Sequence, residues 1–460
     1  MTQTLFDHID QNADSFVERV MEYVRHPSIS AHDIGIRDVA NMLVAHLEGL
    51  GFDAGLVETP GHPFVLGHAK VDPQKPTVLL YGHYDVQPPD PLDAWISPPF
   101  EPTLRDGRIW ARGIGDNKGQ HFAQLLAIET HLAVNGSLPC NIIFLLEGEE
   151  EIGSPQIADF VRQNRDRLQV DLVVTSDGPL HESGAPVITF GVRGVASFDL
   201  VAKGAARDVH SGNYGGVVPN PIWTLVQLLA TMKDPEGNIT VEGLTEPVIP
   251  PTNLERDAIA RLPNDEQAVM EDLKLDHMDG PVDRPYWDRL MFHPTLTING
   301  MHGGYGGPGS KTVLPNEAIA KCDVRLVEPL TPDYVFERIE AHVARHAPEV
   351  EVVRHNGMLP SKTPLDSPFA KPLREAIVAA RGVEPLIYPT VGGSLPDYVF
   401  TKILGKDAFV IPYANADEAN HAPNENLEVV RFIDGIKTGA AVLEALGRCQ
   451  AILGSATHTE

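Results

Sequence analysis

TVLLYGHYDVQP, residues 77–88, runs five apolar or β-branched positions straight into a histidine and an aspartate. A run that short suits a strand buried on both faces of a parallel sheet. It ends on His83 and Asp85, and a spacing of two in an extended chain sends both side chains to one side. Two more runs of the same kind follow, NIIFLL (141–146) and DLVVT (171–175). Between them lie helix-like stretches, 118–134 and 155–168, and the second is expected to open with Ser154 as N-cap and Pro155 at the first helical position. Residues 14–25 carry apolar side chains at helical spacing. Strands alternating with helices predict an α/β domain with a mixed, mostly parallel sheet flanked by helices.

The pattern changes near Gly184. Residues 187–203 alternate like one strand, and TLTING, AIAKCDVRLV and EVEVVRH recur as strands, with helix-like segments at 219–232 and 332–346. Thr331-Pro332 supplies a cap and a first-position proline for the second helix. Beyond Pro364 the α/β pattern returns with a helix over 367–381, the apolar DAFVIPY and a helix over 429–446. The expected organisation is a catalytic α/β domain in two parts, 1–190 and 365–460, interrupted by an inserted α+β lid or dimerisation domain over 191–364. The acidic stretch 246–288 reads as a surface excursion.

Composition narrows the function. Of 460 residues, 42% are hydrophobic and 22% charged, a globular balance, and the net charge is −27. Such acidity disfavours nucleic acid and anionic lipid, both of which recruit Lys and Arg. Cys140, Cys322 and Cys449 are too scattered for a disulfide framework or a thiolate zinc site. No apolar window reaches the roughly 20 residues of a membrane span, and the first residues lack a basic segment followed by an apolar run. A cytoplasmic location is the expectation.

Several motifs fail on spacing. GIGDNKG (113–119) has its third glycine one residue late for G-x-G-x-x-G, and GYGGPGSKT (304–312) places Ser310 between the glycine and lysine of a P-loop. Pro396 replaces the last glycine of a nucleophile elbow in GGSLP, and H-E-x-x-H is absent. What remains is acidic residues and histidines at strand ends, where open α/β sheets bind ligands: His83 and Asp85, Asp116 at a helix start, Glu147, Glu149, Glu150 and Glu151, Asp177, and His421 in the loop after DAFVIPY. Carboxylates converging at one edge repel unless a cation sits among them, so the set implies a metal site.

GHYDVQP, ARGIGDNKG, EGEEEIGS, Asp177, RDVHSG and NHAPNEN, in that order, resemble the co-catalytic di-zinc peptidases that include carnosinase-type dipeptidases, aminoacylase and succinyl-diaminopimelate desuccinylase. The resemblance spans essentially the whole chain. It implies two zinc ions, with manganese or cobalt as substitutes: His83 and Asp177 on one, Glu151 and His421 on the other, Asp116 bridging, Asp85 orienting His83, and Glu150 as general base. It further implies that His210 polarises the scissile carbonyl, reaching in from the partner subunit of a homodimer formed through the inserted domain. Arg325, Thr312 and Ser394 match positions that contact the substrate, Arg325 and Thr312 at its terminal carboxylate. In this family the non-bridging carboxylate on the first metal tends to be Asp in dipeptidases and Glu in deacylases, so Asp177 favours a small peptide substrate with a free amino end. An N-acyl-amino-acid amidohydrolase is the alternative. Where the carnosinase branch commonly has an aromatic residue, NGMLPSKTP (356–364) stands instead, which leaves the side-chain preference open.

Overall fold

The computed structural model describes residues 2–263, 266–281 and 283–450. They divide into two compact units. Unit 1 comprises the chain up to Phe190, Thr363–Tyr388 and the chain from Val399; unit 2 comprises Gly191–Lys362 and Pro389–Tyr398.

Unit 1 is built on an eight-stranded sheet ordered Asp53–Val57, Phe64–Ala69, Asn141–Glu147, Thr77–His83, Leu172–Thr175, Asp407–Val410, Val187–Thr189, Leu386–Tyr388. Thr77–His83 lies parallel to both Asn141–Glu147 and Leu172–Thr175, and Leu172–Thr175 lies parallel to Asp407–Val410. Every residue of Thr77–His83 and Asn141–Glu147 is buried, as their unbroken apolar runs require. Lys118–Asn135 and Val429–Leu446 pack together against this sheet through Leu125, Leu126, Ile128, Ile436 and Ala440. Because the central strands run parallel, His83, Glu147 and Thr175 all finish at the same carboxyl edge.

Unit 2 carries a four-stranded antiparallel sheet ordered Thr295–Gly303, Glu317–Leu326, Gly194–Lys203, Glu351–Met358. Alternate residues Phe198, Leu200, Val324 and Leu326 turn to one face, where Leu225, Leu228, Phe336 and Ile339 of Pro221–Leu229 and Pro332–His346 cover them. Asn220 and Thr331 cap these helices through Ile222 N–H and Tyr334 N–H, each with proline next in line.

Four expectations need correction. The helix expected from Ser154-Pro155 spans Ile157–Gln163 instead. Ser154 has φ +52°, in the left-handed region, because the chain first closes a single 3-10 turn over Glu150–Ile152 and leaves it through Gly153 at φ +91°. The strand read over 187–203 is three strands. Val187–Thr189 stays in the large sheet, Gly191–Val192 pairs with Ser361–Lys362, and Gly194–Lys203 enters the second sheet. Pro389–Tyr398, expected in the catalytic domain, clusters with unit 2 because Arg193 N–H bonds to the carbonyls of Val391 and Gly393. Finally, 246–288 is more than excursion: it holds Asn253–Ile259 and Glu266–Asp272 and enters Tyr286–Phe292, Thr252 and Glu255 forming a capping box for the first. Residues 451–460 of the second catalytic segment lie outside the described residues.

Candidate metal centre

His83, the last residue of its strand, is fully buried. Its Nε2 lies 3.0 Å from Asp116 Oδ1 and 3.5 Å from Asp177 Oδ2. On the other side of Asp116, Oδ2 lies 3.1 Å from His421 Nε2, and the same nitrogen is 3.1 Å from Glu151 Oε2. One carboxylate thus faces two imidazoles, one through each oxygen, and each imidazole has a second carboxylate beside it. His83, Asp116 and Glu151 each present a donor atom within 4.8 Å of the others. Neutral imidazole and carboxylate are the donors that zinc and similar divalent ions take, so the residues fit a metal centre.

Each of these side chains is held by its neighbourhood. His83 Nδ1 lies 3.1 Å from the carbonyl of Asp85 and 3.4 Å from its Oδ1, which leaves Nε2 to face the cluster. Asp85 also accepts the N–H groups of Glu150 (3.2 Å, Oδ1) and Glu151 (3.1 Å, Oδ2). The same aspartate therefore orients a histidine on one strand and the acidic turn after the next. Glu150 Oε2 stands 4.0 Å from His83 Nε2, beyond hydrogen-bond reach. His421 sits at φ +57° in the left-handed region, with its side chain about half exposed. Such a conformation costs a non-glycine residue about 1–3 kcal/mol and persists where its surroundings enforce it.

The electrostatics describe a site short of positive charge. Burial, followed by repulsion from Asp116, pushes Glu151 up to about 7, and burial with nearby Asp116 raises Asp177. Hydrogen bonds to Asp116 and Glu151 push His421 up to about 10. Burial alone would lower His83, but hydrogen bonds to Asp116, Asp177 and Asp85 outweigh it and raise it well above the ordinary imidazole. Without a metal, the surrounding carboxylates favour the protonated form of both imidazoles. A divalent cation must displace those protons, since a ligating imidazole is neutral. Both groups lie above the free value of about 6.5, so metal uptake is expected to release protons near neutral pH and to strengthen as pH rises from about 6 to about 8. Calorimetric titration in buffers of different ionisation enthalpy measures this; proton-free uptake with flat affinity would contradict it.

Sequence reasoning missed three supports. Gln87 donates its N–H to Glu151 Oε1 and its side-chain amide to Glu151 Oε2 at 2.9 Å. Asn117 accepts the N–H of His83 and donates to the carbonyl of Ser176. Glu425, fully buried, accepts the N–H groups of Gly113, Gly115 and Asp116 and pairs with buried Arg112 at 2.8 Å, so it sets the loop that presents Asp116. All three lie inside the quoted motifs; the available signal was a polar residue inside a strand-end motif, which does not name its partner. Glu425→Ala leaves Arg112 buried without its counter-charge, with only the Pro88 carbonyl still accepting from it, and is expected to cost about 3–5 kcal/mol of stability, read by denaturant unfolding. A loss under about 1 kcal/mol would show the pair to be dispensable.

The remaining expected residues belong to unit 2. His210 and Thr312 meet there: His210–Val313 pairing brings Thr312 Oγ1 to 3.3 Å from His210 Nε2. His210 Nδ1 accepts the N–H of Gly212 at 2.9 Å, which assigns the ring proton of the neutral form to Nε2. Arg325 Nη1 donates to Ser394 Oγ at 2.7 Å.

Residues 79–447 match the model of Peptidase family M20/M25/M40. The chain is 30% identical over 475 residues to a Beta-Ala-His dipeptidase of Rattus norvegicus, covering 97% of this chain and 96% of the relative. It is 31% identical over 461 residues to the Cys-Gly metallodipeptidase dug1 of Schizosaccharomyces pombe, covering 94% and 96%. Among solved structures, an M20 family metallo-carboxypeptidase from Sulfolobus solfataricus superposes with TM-score 0.88 at 34% identity, covering 94% of this chain and 99% of that one.

Proposed function

Because the chain belongs to Peptidase family M20/M25/M40, we propose that its carboxylate–imidazole centre hydrolyses the amide bond of dipeptides, as its dipeptidase relatives are named for doing. The observation that carries this is Asp116, with one oxygen toward His83 and the other toward His421. We read it as the bridge between two divalent ions, zinc in the first instance, with His83 and Asp177 on one side and Glu151 and His421 on the other. Such ions, when bound, polarise a carbonyl and make water a nucleophile near neutral pH.

The chain's own groups do the rest. Glu150, beside the ligand Glu151, takes a proton from the attacking water on its carboxylate and hands it to the leaving amine nitrogen, so the carboxylate is regenerated each turnover. Asp85 keeps Glu150 and His83 in register through the bonds described above. The Nε2–H of His210 is a donor suited to the oxygen that gains charge at the scissile carbonyl. Arg325 and Thr312 would hold the substrate's terminal carboxylate, Arg325 through its planar fork, with Ser394 as a further contact.

We also read His210, and with it Thr312 at 3.3 Å, as acting on the partner subunit's site in a homodimer. Unit 2 supports that reading: Trp223, Val226, Ile298 and Met301 are exposed on its helix Pro221–Leu229 and edge strand Thr295–Gly303. Unpaired cysteines fit a reducing cytoplasm. No helix among the described residues is long and apolar enough to cross a membrane.

Hydrolysis of a free dipeptide compared with its N-acylated form tests the proposal. Turnover of the free form is expected; turnover confined to the blocked form would overturn it. His210→Ala is expected to fold and to lose about 10²–10³-fold in kcat. Mixed with inactive Glu150→Gln, it should regain activity, because a mixed dimer reconstitutes one complete site only if the histidine crosses over. No recovery in a confirmed mixed dimer would rule the crossover out.

A further inference from the structure

Two arginines of unit 2 are set against one loop. Arg325 Nη1 donates to Ser394 Oγ at 2.7 Å. Arg193 Nε donates to the carbonyl of Gly392 at 2.9 Å, while its backbone N–H reaches the carbonyls of Val391 and Gly393 at 3.3 and 3.1 Å. Arg193 therefore grips three consecutive residues that lead directly into Ser394. It is also only 7% exposed, and its Nη1 is buried with no hydrogen-bond partner. Nearby, Asp323 Oδ2 lies 3.5 Å from Arg325 Nε, and Asp323 Oδ1 is already taken by Asn299 Nδ2 at 2.7 Å.

Two guanidiniums against one shared carboxylate leave a net positive charge. Burial, then repulsion from Arg325, lowers the Arg193 guanidinium to about 10, still protonated at neutral pH. A buried cation with an unpaired donor is unfavourable unless an anion arrives to meet its field. Gly392 allows the arrangement: a Cβ there would stand 3.1 Å from Arg193 Nη2 and 3.0 Å from Leu290 Cδ1.

We propose that Arg193 is a positioning residue of an anion seat formed with Arg325 and Ser394, and that this seat takes the carboxylate at the end of the peptide substrate. The assignment rests on the dipeptidase reading above and adds to it the residue that makes the seat selective. Arg193 acts through its neighbours: it fixes the loop so that Ser394 meets Arg325, and it adds positive potential behind them.

A dipeptide and the same dipeptide as its C-terminal amide differ only in the charge that the seat would read. Wild-type enzyme is expected to prefer the acid. In Arg193→Gln the acid-over-amide ratio of kcat/KM is expected to fall by at least about tenfold, through KM for the acid rather than kcat. Arg193→Lys, which keeps the charge but not the fork, should restore part of the preference. Gly392→Ala should reduce the preference from the loop side, and carries the test with Arg193→Lys if Arg193→Gln does not fold. Equal losses on acid and amide, or an unchanged ratio in folded variants, would overturn the role of Arg193 while leaving the dipeptidase reading intact. A wild-type enzyme that cleaves neither compound would overturn that reading and this assignment with it.

Discussion

Glu150→Gln is expected to reduce kcat by about 10²–10⁴-fold while the protein keeps its full complement of metal. The loss corresponds to about 3–5 kcal/mol added to the barrier. Glutamine preserves the shape of the side chain and removes only its capacity to take a proton. The local structure should survive, because the turn is fixed by backbone groups: Glu150 N–H and Glu151 N–H bond to Asp85, and Gly153 N–H closes onto the carbonyl of Glu150. Burial raises the Glu150 carboxyl well above the usual range; His83 opposes this, and Asp177, Asp116 and Glu151 add to it. A carboxylate so placed is a stronger base than one in water, and cations among its neighbours would bring it back toward the ionised form that accepts a proton. Measuring kcat alongside metal content separates the outcomes. Near-normal turnover would remove Glu150 as the base, and metal loss in step with activity would make it a ligand instead.

Asp116→Ala is expected to abolish turnover by releasing metal. Both oxygens of Asp116 are committed, Oδ1 at 3.0 Å from His83 Nε2 and Oδ2 at 3.1 Å from His421 Nε2. Burial works to raise its carboxyl, yet hydrogen bonds with His421 and His83 hold it far below the usual carboxylate range, so it is an anion at any working pH. Removing a group that touches both halves of the centre should weaken metal binding by more than the roughly 10–100-fold seen when an outer partner of a ligand is lost. The loop itself should hold, since Glu425 binds the backbone of Gly113, Gly115 and Asp116 rather than the side chain removed. Metal titration of the variant gives the answer. Unchanged metal content would exclude Asp116 as a ligand, and loss confined to one ion would make it a ligand to that ion alone.

The α/β core was legible in the chain because burial on both faces leaves an unmistakable mark. Thr77–His83 and Asn141–Glu147 could be read from their apolar runs alone, and Val429–Leu446 falls where its helical spacing put it. Caps were legible where the signal was local, at Thr331-Pro332. The same signal misled at Ser154-Pro155, where long-range bonds from Asp85 impose a 3-10 turn just upstream that local preference does not encode.

The candidate site divides along the same line. That acidic residues and histidines gather at strand ends follows from the order of residues along the chain, because a parallel sheet brings its strand ends to one edge. Which carboxylate oxygen faces which imidazole depends on partners 33 and 305 positions apart, His83 and His421 about Asp116, and sequence spacing carries no distance over such separations. Nor could the chain alone declare that Glu425 holds the Asp116 loop, or that Arg193 is a buried cation with an unpaired donor. Burial and hydrogen-bond partnership are properties of the packed molecule. They arise when segments remote in the chain exclude water from each other's polar groups, and that is settled only on folding.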